Sequence, residues 1–112
     1  MKTITTSFGD YLDRFSILTV KQEKGLDVTQ ELDVYNFDDM VMHYYFIDIL
    51  VAIHNQLWDI EDTKRVSSKR YTDEYSDLST LTCQLNDIRH KVKKEIDLFY
   101  GSEFTEQKSH KI

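Results

Sequence analysis

Asp48 is the one charged residue inside an apolar run, Tyr44 to Ile53, and is therefore the first candidate for chemistry. A carboxylate carried into a helical core must be paired or neutralised. A hairpin turning near residues 68 and 69 sets residue i opposite about 137 − i, because both arms rise by about 1.5 Å per residue. That register brings Asp48 level with Arg89 and close to Asn86. The expected partner is Arg89, or Arg14 if the first helix runs alongside. Structural pairing is preferred over an active acid.

Three further groupings have spacing that chemistry can use. Asp59, Glu61 and Asp62 resemble the acidic pairs with which helical nucleotide pyrophosphatases hold Mg²⁺. Those enzymes use two pairs, E-x-x-E and E-x-x-D, whereas D-x-x-D at 59–62 has only Asp10 and Asp13 as an imitation of a second. A solvated acidic face beside Lys64 and Arg65, with Glu61–Arg65 as an i, i+4 pair, is the preferred reading. His54 and Cys83 fall level in the same register, but a zinc site needs three or four ligands and no third is evident. Asn86, Arg89, His90 and Lys93 share one side of a helix; such a side binds a phosphate or carboxylate, or is simply the solvated back of an amphipathic helix. Nucleophile elbows, phosphate loops, dinucleotide fingerprints and histidine metal pairs are absent from the sequence.

The candidate binding residues are therefore Arg14, Lys21, Asn55, Asp59, Glu61, Asp62, Asn86, Arg89 and Lys93. They are expected in two clusters. One holds Asp48, Asn86 and Arg89, with Arg14 nearby. The other holds Asn55, Asp59 and Asp62 near the hairpin turn. No catalytic residue, metal ligand or cofactor is assigned.

The elements that must carry these residues are helices. Pro is absent and Gly occurs three times in 112 residues, so little interrupts the chain. Ser7 is placed to cap a first helix over about residues 7–24, with Asp10 at its third position and Gly25 just past its end. Phe8, Leu12, Phe15 and Leu18 form its apolar stripe. Phe46, Ile49, Leu50, Ile53, Leu57 and Ile60 recur in threes and fours, and Ile47, Val51, His54 and Trp58 make a second stripe beside them. A helix apolar on two sides has two neighbours. The pattern runs from about 29 to 65, with Asn36 to Asp39 as its weak point, where Asp38 can cap a fresh start. Residues 30–64 as one helix is slightly preferred over a break. After a linker at Ser67 to Arg70, Thr72 is placed to cap a last helix over about 72–100. Its stripe is Tyr75, Leu78, Leu81, Leu85, Ile88, Val92, Ile96 and Phe99. The short linker forces an antiparallel hairpin. The expected architecture is an all-α bundle of three or four helices in one domain, with a polar tail over 101–112.

Net charge of −6 argues against binding nucleic acid or an anionic membrane. The charge is uneven: residues 1–62 carry −8 and residues 63–112 carry +2, as expected when helices of opposite bias pack together. A lone Cys83 allows no internal disulfide, and the first ten residues lack the apolar stretch of a signal peptide. A cytoplasmic location is expected.

Four segments also resemble a family of small uncharacterised helical proteins from bacteria and phages. They are DRFSILTVK (Asp13 to Lys21), NQLWDIED (Asn55 to Asp62), NDIRHKVK (Asn86 to Lys93) and GSEFTEQKS (Gly101 to Ser109). In that family similar segments read D-R-[LI]-[ST]-I-L-x-x-K, N-x-x-L-W-x-I-E-D, N-D-x-R-x-x-x-K and G-S-x-x-x-E-x-K-S. Phe15 stands where Leu or Ile is usual and Asp97 where Asn is usual. The segment before Asn55 is shorter and more aromatic. The resemblance implies one helical fold with these polar positions gathered together, and no reaction. An aromatic-rich, Pro-free composition suits a phage gene. The expected function is a helical accessory or binding module without catalysis, the alternative a Mg²⁺-dependent nucleotide-processing hydrolase using residues 59–62. Met40, Val41, Tyr44, Tyr45 and Trp58 are left over from the core pattern. A homodimer is therefore expected, with a protein or small anionic ligand as partner.

Overall fold

Ser7 opens the first helix as its spacing predicts: its hydroxyl accepts from the Asp10 N–H at 3.0 Å. In the computed structural model, which describes residues 7–66 and 73–100, this helix is α1, Phe8–Glu23. Gly25 ends it at φ 90°, where the Leu26 N–H reaches back to the Lys21 carbonyl and the Gly25 N–H to that of Gln22. That paired return is the left-handed helix stop that glycine makes cheaply. Expectations for Met1 to Thr6, Ser67 to Thr72 and the tail from Gly101 fall outside the described residues.

Residues 30–64 are not one helix. The chain breaks into α2 (Thr29–Leu32), α3 (Phe37–Val41) and α4 (Tyr44–Val66), followed by α5 (Asp73–Tyr100). Asn36, not Asp38, makes the cap. Its carboxamide oxygen accepts from the N–H groups of Asp38 and Asp39 at 3.0 and 3.3 Å, which stops any helix arriving from α2. The break lets the chain double back along α1, so α1 and α4 run the same way. Phe8 stacks edge-on to His43, Asp13 meets His54, and Lys24 meets Asp59. α5 runs against both. It starts with the Tyr75 ring under Lys64 of α4 and ends with Phe99 against Phe46.

The core lies where the three long helices meet. Leu12, Phe15, Met40, Ile47, Leu50 and Ile96 pack together at one end, and Ile53, Ile60 and Leu85 at the other. Met40 therefore belongs to the core and not to the leftover apolar surface. The stripe of α5 divides: Leu85 and Ile96 are buried and Leu78 and Val92 half-buried, while Leu81, Ile88 and Phe99 stand in solvent. An end cluster of Phe8, His43, Phe46, Phe99 and Tyr100 closes the bundle. Burial holds the Tyr100 phenol above its usual range, and its oxygen lies 2.6 Å from His43 Nδ1. Among the described residues there is no strand, and no helix is long and apolar enough to cross a membrane.

Two features clamp α1 onto α5. Asp97, buried on α5, accepts the Gly9 N–H at 2.6 Å and so satisfies a donor at the start of α1 that has no partner within its own helix. Gly9 itself lies against the Lys93 backbone carbonyl, where a Cβ would collide. In an open helix Gly→Ala stabilises by about 1 kcal/mol. At this crossing Gly9→Ala is expected to lower the melting temperature by roughly 5–15 °C, the cost of overpacking two helix backbones. A thermal scan showing an unchanged or raised melting temperature would exclude this crossing.

Candidate functional site

Asp13 is the buried acid that meets side chains from both other long helices; Asp48 is not buried. Asp13 lies on the inner face of α1 with Leu12, Ser16 and Val20, and only 6% of it is exposed. Three cationic or ionisable side chains from the other two long helices surround it. His54 Nε2 on α4 is 2.7 Å from Oδ1, and since an ionised carboxylate only accepts, the ring nitrogen is the donor. Arg89 Nε and Lys93 Nζ on α5 each stand 3.9 Å from Oδ2. Lys93 is held closer by Asp10, at 2.7 Å. Two acids of α1, spaced i, i+3, thus meet two bases of α5, spaced i, i+4 and running the other way. Among these atoms Arg89 Nε is buried without a hydrogen bond, because 3.9 Å is too long for one.

Asp48 is exposed. It lines a shallow cavity of about 490 Å³ with residues of α1 and the α2–α3 segment, among them Phe15, Tyr35 and Phe37. The pairings of Asp48 with Arg89 and with Arg14 are therefore overturned. Height along the hairpin does not specify azimuth: Asp48 is a quarter-turn from Ile47. Arg14 is exposed as well. His54 points to α1, and Cys83, its supposed neighbour, is exposed on α5.

The other candidates sort by face. Asp59 stands 4.0 Å from Lys24; Glu61 is 3.9 Å from Lys64, and Asp62 4.0 Å from Arg65. The predicted Glu61–Arg65 pair is replaced by these two i, i+3 pairs. Each acid thus faces a separate base, and among the described residues no three His, Cys, Asp or Glu side chains converge as metal donors. Asn55 and Asn86 are half-buried, and His90 is exposed. Lys21, Glu61 and Arg89 come together with His54 and Trp58 around a cleft of about 290 Å³ between α1, α4 and α5. The separation of Arg89 from the acidic turn expected from height is bridged at Glu61, because both long side chains reach into one groove. Three of the four segments noted in the sequence, at 13–21, 55–62 and 86–93, line this cleft or support it through Asp13. The fourth lies outside the described residues.

Sequence reasoning missed Asp13 and His54 as the centre. The available signal was their setting: an acid between the apolar positions Leu12 and Phe15, next to Leu12 and two residues before Phe15, and a histidine in the second stripe of α4. No family model, curated protein or solved structure matches the chain.

Removing the shared acid takes the hydrogen-bond partner from buried His54 and the ion-pair partner from Arg89, while Lys93 keeps Asp10. Asp13→Ala is expected to cost about 3–5 kcal/mol in chemical denaturation. Asp48→Ala and Asp62→Ala, both at exposed positions, should stay within about 0.5 kcal/mol of the parent. A larger loss at Asp48 than at Asp13 would reverse the assignment.

Proposed function

We propose that the protein is a helical binding module without catalysis that works as a homodimer in a reducing, cytoplasmic setting, and that it belongs with the small helical proteins its segments resemble. The supporting observation is the uncovered side of the α4–α5 pair. α1 covers one side of that pair through Asp13, Gly9 and the core. On the opposite side Tyr45, Ile49 and Ala52 of α4, at i, i+4 and i+7, stand in solvent beside Leu81, Ile88 and Phe99 of α5. Helical period puts these two rows on the flanks of one groove. Phe99 is 71% exposed and Tyr45 67%, although each touches the half-buried Phe46. Large apolar side chains gathered on one face mark a contact surface, and two such faces packed about a twofold axis make a bundle with α1 on the outside of each half.

The polar residues support the same reading. Asp10, Asp13, His54, Arg89 and Lys93 are engaged with one another, as expected of a group that fixes helix positions. Cys83 is exposed and single, which suits a compartment where thiols stay reduced.

Light scattering at micromolar concentration is expected to give twice the 13.4 kDa chain mass. The double substitution Tyr45→Lys with Ile88→Lys should halve that mass while leaving the helical circular dichroism intact, because both side chains are at the surface. A parent protein that scatters as a monomer at these concentrations would refute the dimer.

A further inference from the structure

The cleft between α1, α4 and α5 has a composition that runs against the rest of the molecule. The chain carries −6 overall, yet Lys21, Arg65 and Arg89 line this cleft against one acid, Glu61. Helix ends explain part of this. Lys21 lies in the last turn of α1 and Arg65 in that of α4, where carbonyl groups favour cations. That preference does not explain why both side chains turn toward the same groove as Arg89, a residue from the middle of α5.

The partners of the three cations differ. Arg65 has Asp62 at 4.0 Å, and Glu61 is drawn toward Lys64. Among the described residues no carboxylate comes within ion-pair distance of Lys21. Arg89 shares Asp13 with His54 and Lys93, and its buried Nε makes no hydrogen bond. Asp13 holds the guanidinium at the wall of the cleft without saturating its five donors. Ile17, Val20, Leu57 and Trp58 line the same cleft with His54, so apolar wall lies beside the cations. A volume of about 290 Å³ is at the small end of ligand pockets.

We propose that this cleft binds a small organic anion. Its carboxylate or phosphate group sits between Lys21 and Arg89, and its apolar body lies against Leu57 and Trp58. The proposal gives the binding-module reading a ligand class. It does not depend on the dimer, because the cleft lies on the α1 side of the α4–α5 pair and the apolar face on the other.

Trp58 is the only tryptophan in the chain, so its fluorescence reports on this wall alone. Phenyl phosphate and 3-phenylpropionate serve as anionic probes, with inorganic phosphate and benzyl alcohol as the head and body alone. A saturable shift of Trp58 emission is expected with at least one aromatic anion, and the tighter of the two identifies a phosphate or a carboxylate head. Inorganic phosphate should bind at least about tenfold more weakly, and benzyl alcohol should give no saturable shift, since each lacks half of the contacts. Lys21→Gln should weaken the better anion by about tenfold while lowering the melting temperature by no more than about 5 °C, because Lys21 stands outside the Asp13 group and loses only its favourable place at the end of α1. Three results would each overturn the proposal: no saturation by either anion up to about 10 mM, benzyl alcohol binding as tightly as the anions, or unimpaired binding by Lys21→Gln. The same titration on the Tyr45→Lys, Ile88→Lys protein should give parent affinity, so that a failed dimer and a failed cleft are told apart.

Discussion

One buried carboxylate, Asp13, is shared by all three long helices and sets their arrangement. Asp13 enters the interior from α1 and meets His54 from α4 and Arg89 and Lys93 from α5. An unpaired charge at that depth is too costly to keep, so the bundle must bring the other helices to it. Apolar packing is tolerant of sliding, since one leucine substitutes for another along a stripe. A carboxylate with three named partners is not. Asp10 and Asp97 repeat the effect further along the same contact, each tying α1 to α5 at a second and third height.

The close approach that these contacts require depends on small side chains. Gly9 puts the α1 backbone against the Lys93 carbonyl, and Ser16, fully buried, turns its hydroxyl back to the Leu12 carbonyl at 2.8 Å. The hydroxyl is satisfied within its own helix and needs no partner across the interface. The break at Asn36 has an equally definite role. Without it the chain from α2 would continue in one direction and α1 could not lie parallel to α4 with Asp13 beside His54.

The resulting bundle has two unlike sides. On the α1 side the interface is polar at its centre and opens into a cationic groove walled by Leu57 and Trp58. On the other side α4 and α5 expose Tyr45, Ile49, Leu81, Ile88 and Phe99. Both properties come from the same geometry. Three long helices leave one flank of the α4–α5 pair uncovered, and the charges that fix α1 are all spent on the covered flank.

Periodicity in the sequence determined the helical class, the antiparallel hairpin and the ends of α1, α4 and α5 to within about two residues at the ends described here, α4's start excepted. These are local matters of cap chemistry and the 3.6-residue repeat, and Ser7, Gly25 and the stripes of α4 and α5 carry them. The same local rules marked Asn36 to Asp39 as a weak point, but whether it breaks depends on what the flanking segments gain by folding back, which is a tertiary term. Lys21, Glu61 and Arg89 were legible as candidates from residue type alone. Their meeting in one groove was not, because hairpin height gives the level of a side chain and says nothing of which way it points. Asp48 shows the consequence: the hairpin register set it level with Arg89, but Arg89 meets Asp13 beside His54, while Asp48 lines the cavity with α1 and the α2–α3 segment. Asp13 became the shared buried acid because tertiary packing chose the azimuth of α1, and only that choice decided which carboxylate meets all three helices.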